Sequence, residues 1–360
     1  MLVYYWLLVA FILGAAVGSF LNVCIARLPL EKSILWPGSR CGSCFQRIRW
    51  YDNLPLISYL WLRGRCRTCG ARFSPRYLIV ELLTGLCFAG LFYAEVVSNV
   101  HGWPQRRPDF EIQIGYYPWE WWAVWVYHSL LLAFLIVAAA CDLDGREIPL
   151  SLTLTGTAVG LIGATLLPWP WPWTLADKPI PELPQGVLPG REWQLEGAGL
   201  KTGAYPWPVW GPLPEWLPAG DWRLGLATGL AGMLVGTLMM RGVAFLFSRG
   251  LGREALGLGD ADLMMMAGAF LGWQLVVAAF FVSVIPALVF GVIQMVVKRD
   301  NELPFGPSLA AGVMLACLAW GWLGPPLQSL FFWGGMLLGI TVVAAAFMLL
   351  SSYVIRVSKG

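Results

Sequence analysis

Nine apolar runs divide this sequence, and most are long enough to cross about 30 Å of hydrocarbon as a helix. They lie at 2–26, 77–97, 119–141, 151–167, 223–247, 261–272, 274–297, 308–323 and 329–355. A chain patterned this way has no single water-surrounded core. Its backbone polar groups must be satisfied within helices, because lipid offers them no partner. Composition agrees: 58% of residues are hydrophobic and 12% are charged, about half the charged share of a soluble domain. The run at 261–272 is short and reads either as a half-span or as continuous with its neighbour. The expectation is therefore an all-α polytopic membrane protein with eight or nine transmembrane helices. The run at 2–26 lacks a basic flank before it and reads as a retained first span, not a cleaved signal.

Charge sets the orientation. Residues 27–76 carry Arg27, Lys32, Arg40, Arg47, Arg49, Arg63, Arg65, Arg67, Arg72 and Arg76, against Glu31 and Asp52. Basic loops stay on the cytoplasmic side, so this segment is expected there, together with the connections at 142–150, 248–260 and 298–307. The segment at 168–222 then falls outside, and its excess of acids agrees. It is crowded with Pro and Trp, as in Pro168-Trp169-Pro170-Trp171-Pro172-Trp173. Repeated Pro forbids a continuous helix, and Trp favours the headgroup layer, so an irregular surface insertion is expected. The organisation is thus a first helix (1–26), a cytoplasmic cysteine domain (27–76) and helices two and three with an external loop (77–141). An acid-bearing segment with helix four (142–167), the external insertion (168–222) and the C-terminal helices (223–360) complete the chain. The net charge of +3 gives no reason to invoke nucleic acid.

Cys41-Gly42-Ser43-Cys44 and Cys66-Arg67-Thr68-Cys69 form two CxxC pairs with 21 residues between them. Each pair can turn two thiolates toward one ion, and two pairs complete a tetrahedral site. The loop is cytoplasmic by charge, where disulfides are disfavoured. Structural zinc held by Cys41, Cys44, Cys66 and Cys69 is expected, in a small zinc-ribbon-like insertion. Four sulfur ligands leave no open position, so the ion would organise the loop and not catalyse. Cys24, Cys87, Cys141 and Cys317 lie in or at the ends of apolar runs and read as small core residues.

Acids within apolar runs are costly and informative. Asp142 closes the third run in Cys141-Asp142-Leu143-Asp144-Gly145, and Asp260 opens the sixth in Gly257-Leu258-Gly259-Asp260-Ala261-Asp262. Two carboxyl groups meeting at the membrane face could share a proton, one acting as base on water and the other as acid toward an amide. Gly257 and Gly259 would let the backbone turn and approach a substrate chain. A helix N-terminus favours ionised Asp260, and a helix C-terminus favours protonated Asp142. The plainer alternatives are that Asp260 is a helix N-cap and that Asp142 is a solvated end residue. The physics of the sequence does not rank Asp144 or Asp262 below them. Glu81, near the cytoplasmic end of the second run, reads as the partner of a loop Arg or as a contact for substrate or methyl donor.

Together these residues resemble the type IV prepilin leader peptidases, a family of GxGD membrane aspartic proteases. Gly18-Ser19-Phe20-Leu21-Asn22-Val23 with Arg27-Leu28-Pro29 is similar to the family's opening motif, and the cysteine quartet comes next. Asp142 stands seven residues before Pro149, as the first catalytic aspartate does in the family. Gly257-Leu258-Gly259-Asp260 matches the motif of the second, and Leu303-Pro304-Phe305-Gly306-Pro307 is similar to a further one. The resemblance implies catalysis by Asp142 and Asp260, supported by Gly257, Gly259, Asp144, Pro304 and Gly306. It implies cleavage of prepilins or pseudopilins at the cytoplasmic face of a bacterial inner membrane. Members with this cysteine loop commonly also N-methylate the new amino terminus, using S-adenosylmethionine, and the resemblance implies that activity here. A peptidase without methyl transfer, and a non-enzymatic zinc-bearing scaffold of a pilus or secretion assembly, are the alternatives. Two features depart from the family pattern: Leu150 follows the Pro where Asp or Asn is common, and the 168–222 insertion is long.

Overall fold

The computed structural model describes residues 2–103, 109–168, 216–218, 220–252, 257–297, 305–324, 327 and 334–359. The Pro/Trp-rich insertion expected at 168–222 falls almost wholly outside the described residues, as does Pro304. The helices, in chain order, are α1 (Leu2–Arg27), α2 (Ile57–Trp61), α3 (Arg76–Phe92), α4 (Asp109–Ile114), α5 (Trp119–Leu143) and α6 (Leu150–Leu166). They continue as α7 (Trp222–Leu251), α8 (Leu258–Leu271), α9 (Trp273–Val282), α10 (Val284–Val297), α11 (Gly306–Leu318) and α12 (Gly334–Lys359).

The all-α character stands, but the expected eight or nine spans do not. Among the described residues, six helices are long and apolar enough to cross a membrane: Leu2–Leu30, Arg76–Val97, Trp119–Leu143, Trp222–Leu251, Trp273–Gln294 and Leu337–Val354. The runs at 151–167 and 308–323 correspond to the shorter helices Leu150–Leu166 and Gly306–Leu318. The run at 261–272 belongs to α8, whose 14 residues rise only about 21 Å against about 30 Å of hydrocarbon. The overcount has a physical cause. An apolar sequence marks burial, in lipid or in protein, whereas only length marks a crossing. In α8 the apolarity serves protein packing, since Leu263, Met264, Met266 and Ala267 are fully buried. The zinc-ribbon-like insertion is also corrected: the described residues contain no β-sheet, and the cysteine segment holds only the isolated bridges Arg40↔Arg47 and Arg65↔Arg72.

The chain forms two compact units. The first comprises Met1–Asn99 and Gln105–Pro149. Here α1 and α3 run antiparallel along a seam of small residues. A Cβ on Gly14 would lie 2.8 Å from the Thr84 carbonyl oxygen and 2.9 Å from Gly85 Cα, and one on Gly18 would lie 2.8 Å from Glu81 Cα. This close backbone approach is how helices associate where lipid supplies no hydrophobic drive. α5 starts beside the start of α1: Trp6 Nε1 donates to the Gly115 carbonyl at 3.0 Å, and Trp6 packs edge-on against Trp122. The ends of α1 and α5, the start of α3 and the cysteine segment therefore share the opposite end of this unit.

The second unit comprises Val100–Pro104 and Leu150–Gly360. Its centre is α8, packed by α6, α7, α9 and α11. Asp221 caps α7 by accepting the Arg223 backbone N–H at 2.8 Å. Along α7, a side chain on Gly232 would meet the Gly268 carbonyl oxygen at 2.0 Å, and one on Gly236 the Met264 oxygen at 2.3 Å. These pairings make α7 and α8 antiparallel. Gly225 and Gly229 meet Ala164 and Leu161 in the same manner, so α6 is also antiparallel to α7. Hence α6 and α8 are parallel and begin at the same end.

Candidate functional site

Asp142 occupies the last turn of α5, and the turn after it explains its position. The Gly145 N–H donates to the Asp142 carbonyl at 2.9 Å and the Arg146 N–H to the Cys141 carbonyl at 3.0 Å. Gly145 has φ of +66°. This is a Schellman ending, in which a left-handed glycine satisfies the last carbonyls of a helix. Asp144, the C-cap, is occupied elsewhere: Arg76 Nη1 donates to Asp144 Oδ1 at 2.7 Å, and Arg76 Nη2 reaches the Ala140 carbonyl at 3.5 Å. Arg76 thus ties the start of α3 to the end of α5, an arrangement the sequence reading did not anticipate. The arginine beside Tyr77 was the available signal, because a cation at a helix C-terminus is favoured by the macrodipole.

In the second unit, Asp260 lies in the first turn of α8 and is buried. The N-cap of α8 is Gly257, with φ −72° and ψ 149°, and it makes no side-chain capping bond. The simple N-cap reading of Asp260 is therefore set aside. Gly257 has an ordinary backbone conformation, and a Cβ added there would meet nothing within 4 Å. Neither strain nor internal packing requires glycine at this position. Asp262 is the nearby acid, and Arg241 Nη2 stands 3.9 Å from its Oδ1. Of the four acids that sequence physics left unranked, Asp144 and Asp262 thus have arginine partners within their own units. Gly306, of the LPFGP motif, is buried at the start of α11.

The cysteine quartet forms a centre. Each CxxC pair turns through the same pattern: Phe45 N–H donates to Cys41 O at 3.0 Å, and Gly70 N–H to Cys66 O at 2.9 Å. The ladder closes with Cys41 N–H to Gln46 O at 3.0 Å and Cys66 N–H to Ala71 O at 2.8 Å. Phe45 and Gly70 both adopt positive φ, 58° and 72°. Cys41 Sγ lies 3.8 Å from Cys69 Sγ, and Cys44 Sγ lies 4.0 Å from Cys66 Sγ. All four sulfurs lie within 4.8 Å of one another. A tetrahedron of sulfurs about 2.3 Å from one ion has edges of about 3.8 Å, so the donor set fits a metal ion. The backbone N–H groups of Cys44 and Ser43 aim at Cys41 and bring its pKa down to about 6. At Cys69 the Ala71 N–H acts in the same sense, but burial and the neighbouring thiols outweigh it and push the pKa up to about 11.

Glu81 is buried on α3. Its Oε2 accepts the backbone N–H of Leu56 at 2.8 Å, and the Ser19 side chain also hydrogen-bonds to it. A backbone amide thus takes the position where a loop arginine was expected. The family-like Asn22 has an equally local task, donating to the Tyr77 carbonyl at 3.1 Å. One buried pair escaped the sequence reading altogether: His128 Nδ1 lies 2.6 Å from Glu95 Oε1. The signal was present, since His128 is one of two histidines in the chain and sits within an apolar helix.

Residues 12–95 match the bacterial peptidase A24 N-terminal domain, and residues 216–292 match the type IV leader peptidase family. The first stretch holds the cysteine quartet and Glu81, and the second holds Asp260; Asp142 falls between them. Among curated proteins, the chain is similar to a prepilin leader peptidase/N-methyltransferase of Myxococcus xanthus (strain DK1622). That relative is 32% identical over 285 residues, covering 79% of this chain and 62% of the relative, so the match spans less than two thirds of its length. A protein of the same description from Dickeya chrysanthemi is 30% identical over 351 residues, covering 88% of this chain and 95% of the relative. One from Pseudomonas putida is 29% identical over 342 residues, with 88% and 91% covered. No solved structure matches the chain.

Proposed function

The chain belongs to the type IV leader peptidase family, and from that premise we propose that it removes the leader of prepilins or pseudopilins in a bacterial inner membrane and N-methylates the new amino terminus. The observation that carries the reading is Asp260, a buried acid in the first turn of an apolar helix whose N-cap, Gly257, leaves open space. Asp142 is its proposed partner. Eight positions separate Asp142 from Leu150, at most about 28 Å of extended chain. That is less than the hydrocarbon thickness of about 30 Å, and the turn at Gly145 shortens it further. The pairing with Asp260 itself rests on the resemblance of the two aspartate motifs to those of the family. The Arg-rich segment shares its end of the first unit with Asp142, which supports the cytoplasmic face.

In the proposed chemistry one carboxylate takes a proton from water as the water attacks the scissile carbonyl. The other carboxyl gives a proton to the leaving amide nitrogen. Asp260, in the first turn of α8, sits at the positive end of a helix dipole and is proposed as the anion, and Asp142, in the last turn of α5, sits at a negative end and is proposed as the acid. The two titrate as a pair. Mass spectrometry of a co-expressed prepilin tests the reading: the leader is expected to be lost and the new N-terminus to gain one methyl group when S-adenosylmethionine is supplied. A substrate that keeps its leader would reject the peptidase reading, and cleavage without the methyl mass would reject only the transferase.

The open space at Gly257 is assigned to the substrate backbone. Gly257→Val is then expected to fold and unfold as the parent does while losing about 100-fold or more in kcat/KM, the scale of a 1 Å misplacement. A valine variant with parental activity would remove this role. For the cysteine centre we propose one zinc ion held by Cys41, Cys44, Cys66 and Cys69. Thiols must lose protons to bind, so affinity should rise with pH. Elemental analysis should find one zinc per chain, absent from Cys41→Ser/Cys66→Ser; stoichiometric zinc in that double variant would rule the site out.

A further inference from the structure

We propose that the cysteine segment lies against the anionic lipid surface of the membrane that its flanking helices cross, with α2 embedded in the headgroup layer. The first observation is depth. The Leu56 N–H bonds to Glu81, and Glu81 is the sixth residue of α3, about 7 Å along the axis from its start. The headgroup layer on each side of the hydrocarbon is of this thickness, about 5–8 Å. α2 begins at the next residue, Ile57, so its entry is tied to the second turn of α3, close to the end of a membrane span.

The second observation is what α2 and its surroundings present. Ile57, Leu60 and Trp61 are 63%, 64% and 79% exposed, and Trp36 and Trp50 are 74% and 80% exposed. Large apolar side chains at such exposure belong against another surface, and Trp in particular belongs at headgroup level. The third observation is charge. Of the two acids in the segment, Asp52 is held by Arg67, whose Nη2 lies 2.6 Å from Asp52 Oδ1. Among the described residues, Arg47, Arg63, Arg65 and Arg72 have no carboxylate partner. Exposed indoles interleaved with unneutralised guanidinium groups, tethered at both ends to spans, are complementary to anionic headgroups. A basic peptide would be repelled by the same surface.

The test uses the full-length protein in nanodiscs of phosphatidylcholine alone or mixed with phosphatidylglycerol. Hydrogen exchange of peptides covering 35–62 should be slower in the anionic discs. Arg47→Gln/Arg63→Gln should lose that protection by roughly fivefold per arginine, and Leu60→Ser/Trp61→Ser should exchange faster than the parent in both discs. A parental thermal-unfolding midpoint identifies variants that have kept their fold. With p-benzoylphenylalanine at position 61, irradiation should yield phospholipid adducts. Equal exchange in the two lipids, or capture of a second copy of the chain in place of lipid, would overturn the proposal.

Discussion

Asp260→Asn is expected to reduce prepilin cleavage by roughly 10³-fold, and Asp142→Asn by a similar amount, within the range that positioned acid–base groups supply. Asparagine keeps the shape and removes the proton traffic, so folding should be little changed. The decisive variant is the double one. Groups that act as a unit are not additive, so Asp142→Asn/Asp260→Asn should cost no more than either single change. Asp144→Asn and Asp262→Asn are the comparators. Each removes one charge at the same helix ends, but these acids face Arg76 and Arg241, and partly exposed pairs contribute little. Losses below about tenfold are expected for them, since exposed pairs are typically worth under about 1 kcal/mol. Rates from purified enzyme and a synthetic prepilin decide it. If both single variants lose activity but the double variant loses the product of the two factors, the acids work separately. If Asp142→Asn cleaves at the parental rate, the pair does not exist.

The second large effect is expected at the seam of α7 and α8. A methyl group on Gly232 would stand 2.0 Å from the Gly268 carbonyl oxygen and 2.8 Å from the Gly272 carbonyl carbon, both backbone atoms. No rotamer relieves a Cβ contact with backbone, so the helices themselves must part by about 1 Å. Overpacking of this kind costs about 3 kcal/mol, or roughly 6–12 °C in Tm for a unit of this size. Gly232→Leu should exceed that and abolish the folded unit. Gly242 lies on the same helix with nothing within 4 Å of its would-be Cβ, so Gly242→Ala should be neutral or slightly stabilising through helix propensity. Thermal unfolding in detergent separates the two. Equal midpoints for Gly232→Ala and Gly242→Ala would mean that the seam is not closed as described.

The glycines show where sequence reading stops. Gly257 and Gly259 attracted attention because they flank an acid, and the structure gives Gly257 an ordinary conformation with open space beside it. Gly232 and Gly268 drew none, because a small residue within an apolar run looks the same whether it faces lipid or a neighbouring helix. The difference is set by a residue 36 positions away in the chain. The expected surplus of spans has the same origin. α8 is as apolar as a crossing helix because other helices surround it, and hydropathy does not distinguish a protein neighbour from a lipid one.

Local chemistry made three things legible in the chain itself: helices from apolar runs, a metal-capable set from paired cysteines, and acids at the ends of helices. Tertiary packing settled who meets whom. It paired Asp144 with Arg76, gave Glu81 a backbone amide instead of an arginine, brought four sulfurs together without a sheet, and turned α8 into a core. The reason is that solvation preference and ligand chemistry belong to a residue itself. Distances between residues far apart in sequence are set only when backbones pack, and here glycine positions determine how closely they do so.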